Sequence, residues 1–197
     1  MWNDAEKFLR KDNHIAPLIK EWGKCTIKPI RKSIYFEDLV EAIINQQLSG
    51  KAASTIFGRV KKLLKRIEPS SIMKIKDQKL RDAGLSWQKV SYVKDLASRV
   101  EKKELKLSLL NKLDDGEVIE ELTKVKGIGN WTAEMFLMFG LARPDVFPID
   151  DLGIKKGFEK VTKREWDKVG SPKFAEKHWK PYRTIASWYL WRSLDNR

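Results

Sequence analysis

A chain of 197 residues with 42% hydrophobic side chains can build a core, as one compact domain or as two small lobes. Its 40 Lys+Arg against 27 Asp+Glu leave a formal charge of +13. That excess favours a polyanion as partner, because neutralising phosphates releases counterions; the plainer alternative is a Lys-rich solvated surface. Cys25 is the only cysteine, so a disulfide within the chain is excluded and a reducing, cytoplasmic setting is expected. His14 and His178 lie far apart with no Cys or His neighbour, so no metal site is expected from them. The N-terminus mixes charges and no apolar run is long enough for a bilayer, which argues against a signal peptide or a membrane span.

In chain order the pattern is helical throughout. Residues 1–22 read as two short helices broken at Asp12 and Asn13, with Pro17 near the start of the second. Residues 23–35 lack helical periodicity and read as an extended connector. From Phe36 to Leu48 a helix is expected, its stripe Phe36, Leu39, Val40, Ile43 and Ile44. A second follows over 51–67, with Ala53, Ile56, Phe57, Val60, Leu64 and Ile67 inward. Asp77 is expected to cap a short helix ended by Gly84, and Ser86 to cap a longer one over 87–103 striped by Val90, Val93, Ala97 and Val100. Short helices at 108–113 and 117–125 lead to a break at Gly127-Ile128-Gly129, then an apolar helix to Phe139. After a Pro-bounded loop and Asp150-Asp151 come a helix to about Lys160 and one from Lys163 that Thr162 and Glu165 would box. Ser171-Pro172 and Pro181 open the last two. The Lys clusters at 61–66 and 102–112 read as solvated faces. Strand-like alternation never persists, so the chain is expected to be all-α.

The Gly-x-Gly break permits positive φ, and the helix after it aims unsatisfied N–H groups and the positive end of its dipole at the turn. Such a turn favours an anion, here a nucleic-acid phosphate. KGIGNWTAEMFLMF followed by DVFPIDD resembles the helix-hairpin-helix DNA glycosylase family, and most of all its 3-methyladenine DNA glycosylase II branch. The likeness extends from residue 36 to about 192, with GLSWQKVSYVKDLA as a secondary match. The Pro that usually precedes the first Gly is Lys126 here, which can still adopt the conformation Pro would fix.

The resemblance implies two helical lobes with the active-site cleft between them: a central lobe over 36–135, and a discontinuous second lobe over 1–35 and 136–197. It implies a DNA glycosylase that flips an alkylated purine, 3-methyladenine or 7-methylguanine, out of double-stranded DNA and hydrolyses its glycosidic bond. Alternatives are a related enzyme for uracil or oxidised purines, or a helix-hairpin-helix DNA-binding module without catalysis. Asp151 stands where the family has its catalytic carboxylate, beside positive charge developing at C1′. Helix capping is the other use of such a pair, and Asp150 is assigned a supporting or capping role. Trp131 occupies the place of the lyase members' Lys; indole cannot form a Schiff base, so water is the nucleophile and the enzyme monofunctional.

Trp131 reads either as core or as the face of a base pocket that suits a cationic base. Trp191 is placed in the same pocket by resemblance, with Met135 as a further candidate and Trp188 and Tyr189 as core. Gln47, then Leu48, match the wedge that fills the gap a flipped base leaves. Lys126, Gly127, Ile128 and Gly129 are expected to bind DNA phosphate, and a side chain at Gly127 would stand where the phosphate approaches. An iron–sulfur cluster, found in another branch, needs more thiolates than Cys25 supplies. The only cofactor left open is a monovalent cation on the hairpin carbonyls. A cytoplasmic monomer held to the nucleoid by DNA is expected.

Overall fold

The computed structural model of the chain describes residues 1–195. Among them the regular structure is helical, with no strand. The backbone divides into two compact units: Met1–Pro29 with the described part of Leu137–Arg197, and Ile30–Phe136. The expected division ran six residues further at the first crossing and one residue less at the second.

The discontinuous unit is built on its last helix. Its elements are α1 (Asn3–Leu9) and α2 (Ala16–Trp22) from the N-terminus, and then three helices from the far end of the chain. Between α1 and α2 the Asp12 carboxylate accepts from the His14 and Ile15 N–H groups, which fixes the expected break. Seven consecutive residues of the last helix, Thr184 to Leu190, are buried, because the other four helices all pack around it. A helix apolar or small on every side belongs in such a central place. Tyr189 donates its hydroxyl proton to Gly23 O at 2.8 Å, tying the centre to the end of α2. Around Phe158 the rings of Trp166, Phe174 and Trp179 meet edge-on, with centroids 5.5 to 6.0 Å away. Each fully buried ring of this kind adds about 1.5–3 kcal/mol by leaving water.

The continuous unit contains α3 (Tyr35–Asn45), α4 (Gly50–Leu64), α5 (Pro69–Lys74), α6 (Asp77–Asp82), α7 (Trp87–Glu101), α8 (Asp115–Thr123) and α9 (Asn130–Met135), with short 3-10 segments at Lys32–Ile34 and Leu107–Lys112. The stripe Phe36, Leu39, Val40, Ile43 and Ile44 is buried as expected. It packs on α4 and α7, and α5 and α6 pack on α7 in turn. The hairpin joins α8 to α9, which continues as a wider turn over Phe136–Gly140. The remaining helices of the discontinuous unit are α10 (Leu152–Thr162), α11 (Gly170–Trp179) and α12 (Arg183–Arg192).

Several local expectations are corrected. Helix α3 stops at Asn45 rather than Leu48, because Gln46 turns extended and Gln47 adopts φ +56°. Helix α4 ends at Leu64, where Lys65 at φ +62° reverses the chain, so Ile67 is buried from a loop. Asp77 is the first residue of α6 and makes no capping bond; its carboxylate pairs with Lys94 at 3.1 Å. Thr162 ends α10 and donates its hydroxyl proton to Phe158 O at 2.7 Å. The residues after it are irregular up to Gly170, so no capping box forms there. A box does form at Asp114 and Glu117, at the start of α8.

Candidate active site and nucleic-acid interface

In the discontinuous unit the sequence Asp150-Asp151-Leu152-Gly153 makes the first turn of α10. Asp151 is its N-cap: Oδ1 accepts from the Ile154 N–H at 2.8 Å. The same oxygen accepts the indole N–H of Trp191 at 2.9 Å. Asp150 is exposed and makes no capping bond, so the assignment of capping to Asp150 is corrected. The cap and the bond to Trp191 therefore both fall on Asp151, the residue that the sequence assigned to catalysis.

The indole of Trp191 lies close enough to this turn to dictate residue 153. A Cβ there would stand 2.7 Å from Trp191 Cδ1, 2.8 Å from its Nε1 and 3.0 Å from Asp151 Oδ1, so only glycine admits the contact. On its other side the indole meets Phe139, with centroids 5.8 Å apart and planes at 34°. Trp188, one turn earlier, is buried at 8% exposure, and Tyr189 is fully buried. The two tryptophans therefore do different things, although their spacing alone would allow both to be core.

In the continuous unit a concavity of about 640 Å³ is lined by Gln46, Gln47, Leu48, Gly127, Gly129, Trp131, Thr132 and Met135, among others. It unites the wedge candidates, both hairpin glycines and two base-pocket candidates in one place. Trp131 is 43% exposed, so it is not a core residue. Gln47 and Leu48 are exposed at the turn after α3.

The hairpin backbone is more engaged than four open donors would be. Ile128 is buried, and its N–H donates to Val125 O at 3.1 Å. The Lys126 N–H donates to Asp95 Oδ2 at 2.9 Å, an oxygen that also takes Arg99 Nε at 2.9 Å. Burial alone would raise the Asp95 pKa, but these two donors hold it below the ordinary value. Two of the four residues assigned to phosphate, Lys126 and Ile128, therefore have backbone N–H groups bonded within the protein.

Gly127 has φ +81°, as a Gly-x-Gly turn permits. Its missing side chain, however, makes room for a ring and not for a phosphate: a Cβ would lie 2.0 Å from Tyr92 Cδ2. Gly129, the N-cap of α9 at φ −98°, faces open space, with nothing within 4 Å of a Cβ. The reason given for Gly127, the approach of a phosphate, is thus replaced by the packing of Tyr92.

Four residues that sequence reasoning passed over complete this region. Gln46 donates Nε2 to Gly127 O at 2.8 Å. Lys89 donates Nζ to Ile44 O at 2.7 Å and to Gln46 O at 2.6 Å, and burial lowers its pKa below the usual lysine value. Tyr92 and Asp95 contact the hairpin as described. The signal was present in Gln46-Gln47 and in QKVSYVKDLA, but a periodicity that marks a helix does not say which loops its polar side meets. Among the described residues no cluster of three His, Cys, Asp or Glu could hold a metal ion, and no helix is long and apolar enough to cross a membrane.

Residues 40–183 match the model of the HhH-GPD superfamily of base excision DNA repair proteins. The chain is 34% identical over 201 residues to DNA-3-methyladenine glycosylase 1 of Schizosaccharomyces pombe, a match covering 91% of this chain and 85% of that one. Among solved structures it resembles a DNA-3-methyladenine glycosidase from Bacillus halodurans, with a TM-score of 0.84 and 35% identity over 97% of this chain and 88% of the other. It also resembles an S. pombe 3-methyladenine DNA glycosylase in complex with abasic DNA, with a TM-score of 0.81 and 32% identity over 97% and 96% of the two chains.

Proposed function

The chain belongs to the HhH-GPD superfamily of base excision DNA repair proteins, and within it we propose a monofunctional glycosylase that removes alkylated purines from double-stranded DNA. The observation that carries this reading is the Asp151–Trp191 pair at the start of α10. Departure of a base leaves positive charge on the sugar, and a carboxylate held in place by the Ile154 N–H and the Trp191 indole is oriented to meet that charge. A helix capped by Asp151 alone would not require Gly153, nor an indole bonded to the capping carboxylate.

The base is cationic when alkylated and leaves readily, so little general acid is needed. The exposed face of Trp131, beside Met135, suits such a cation. Trp131 offers no amine, so water attacks C1′ and the product is an abasic site in an unbroken strand. Gln47 or Leu48 fills the space of the extruded nucleotide, and backbone N–H groups at Gly127, Gly129 and Asn130 hold a phosphate. A monovalent cation at the hairpin would be held by main-chain carbonyls, of which Val125 O and Gly127 O each keep a second lone pair beside the bond they already accept. The reading treats the protein as a monomer and needs no iron–sulfur cluster, for which one cysteine is too few.

The test is incubation with methylated DNA followed by analysis of released bases and of the strand. 3-Methyladenine and 7-methylguanine should appear, the strand should stay intact until alkali is added, and borohydride should trap no protein–DNA adduct. Release of no modified base while DNA binding persists would leave a binding module; strong trapping would assign the attack to a lysine.

A further inference from the structure

We propose that Lys89 is a positioning residue that sets the conformation of the 45–49 turn, and with it the placement of Gln47 and Leu48 relative to the hairpin. This inference rests on reading that turn as the DNA wedge. Its ground is the set of bonds that α7 makes on one side. Lys89 spans the end of α3, giving protons to the carbonyls of Ile44 and Gln46 at 2.7 and 2.6 Å. Those are carbonyls that the helix end itself leaves unsatisfied, and a cation there also meets the negative end of the helix dipole.

One turn along, Tyr92 fills the space beside Gly127, and one turn further Asp95 accepts the Lys126 N–H at 2.9 Å. Gln46 closes the arrangement from the other side through its 2.8 Å bond to Gly127 O. A single rigid helix therefore holds the wedge turn at one point and the phosphate hairpin at the next. The distance between them is fixed by helix geometry and not by loop packing.

The backbone of Gln47 gives independent support. It sits at φ +56°, a region that costs a non-glycine residue about 1 kcal/mol or more and persists only where neighbours impose it. The residue carries an exposed side chain and has no core to hold it. Lys89 engages the two carbonyls that lead into this bend, those of Ile44 and Gln46. Its ammonium is spent on protein oxygens, which also removes it from the count of cations that contact phosphate.

Lys89→Met keeps the apolar stem and removes the donors; Lys89→Arg can again bridge two carbonyls. Hydrogen exchange of the free protein is the first readout: amides of 44–50 should exchange faster in Lys89→Met and return toward wild type in Lys89→Arg, while 115–130 stay as they were. Single-turnover excision of 7-methylguanine should fall by up to about a hundredfold in the Met variant, the scale of a misplacement of about 1 Å. Affinity for undamaged duplex and its salt slope should hold, because the hairpin is intact.

Unchanged exchange over 44–50 in Lys89→Met overturns the inference, whatever the activity does. Equal loss of excision and of plain DNA binding, without rescue by Arg, also overturns it and leaves a general structural role. If Lys89→Met does not fold, Lys89→Gln, which keeps a polar side chain but removes the charge and shortens the reach, carries the same comparison. Absence of base release by the wild-type protein would refute the glycosylase reading instead, with the exchange result still deciding the role of Lys89.

Discussion

Two substitutions separate the structural role of Asp151, whose Oδ1 accepts from both Ile154 and Trp191, from the chemical role proposed for its charge. Asp151→Ala removes the α10 cap, worth about 1 kcal/mol, and takes the acceptor from the Trp191 N–H. A lost partner costs about 1–3 kcal/mol, and the lower end applies because Trp191 is partly exposed. The sum of about 2 kcal/mol should lower Tm by about 4–8 °C in a chain of this size. Asp151→Asn keeps a side-chain oxygen where Oδ1 is, and Asn caps helices as well as Asp, so its Tm should stay near wild type. Its charge is gone, and excision should fall roughly a hundredfold or more, the usual cost of losing one such electrostatic contact. The loss should be greater for 7-methylguanine than for 3-methyladenine, since the poorer leaving group depends more on stabilisation at C1′. Thermal unfolding and single-turnover base release on the two lesions decide the matter. Wild-type rates in Asp151→Asn would refute the catalytic role and turn attention to Asp150; an unchanged Tm in Asp151→Ala would refute the cap.

The hairpin glycines should respond differently. Gly127→Val combines strain at φ +81° with a clash against Tyr92, so both the melting temperature and the affinity for all duplexes should drop. Gly129→Ala, whose Cβ meets open space, should fold normally and lose affinity alone; normal binding by a folded Gly129→Ala would remove 127–130 from the DNA contact. Lys126→Ala should shrink the log–log salt slope by at most about 0.9, the contribution of a single phosphate contact. Burial, and then the nearby Glu41, push the Asp38 pKa up from 3.8 to about 6. An acid raised on folding loses its stabilising share as pH climbs through the folded value. Asp38→Asn should therefore gain in Tm over wild type above pH 6 and lose that advantage below pH 4; a constant difference across this range would show that Asp38 does not titrate as described.

Much of the helix inventory was legible because amphipathic stripes and caps are local. The α3 stripe needs only its own eleven residues to be recognised, and Ser86 caps α7 through a bond to Lys89 three residues on. Where the reading failed, the deciding partner was distant in sequence. Thr162 and Glu165 have the spacing of a capping box, yet the threonine is used by the end of the preceding helix and the chain reverses at Lys163 with φ +57°. Asp77 has the residue type of a cap but is drawn to Lys94 on α7. Local propensity proposes such roles, and tertiary partners take them away.

The site divides along the same line. Asp151, Trp191 and the Gly-x-Gly were visible because a motif constrains residue type at fixed spacing. What the motif could not convey is which atom does what. A glycine is needed wherever a Cβ will not fit, and the sequence does not distinguish a space kept for a phosphate from one filled by Tyr92. Both hairpin glycines satisfy the same pattern, but Gly127 closes the protein against Tyr92 and Gly129 borders open space. The residues beneath the motif show the same asymmetry. Lys89 looks like any solvated lysine on a helix until Ile44 and Gln46 are placed against it, and those are over forty positions away in the chain. A recognition motif is thus readable where it faces the ligand, since the ligand's chemistry is fixed. It is unreadable where it faces its own scaffold, because the scaffold can meet the same geometric demand with many different side chains.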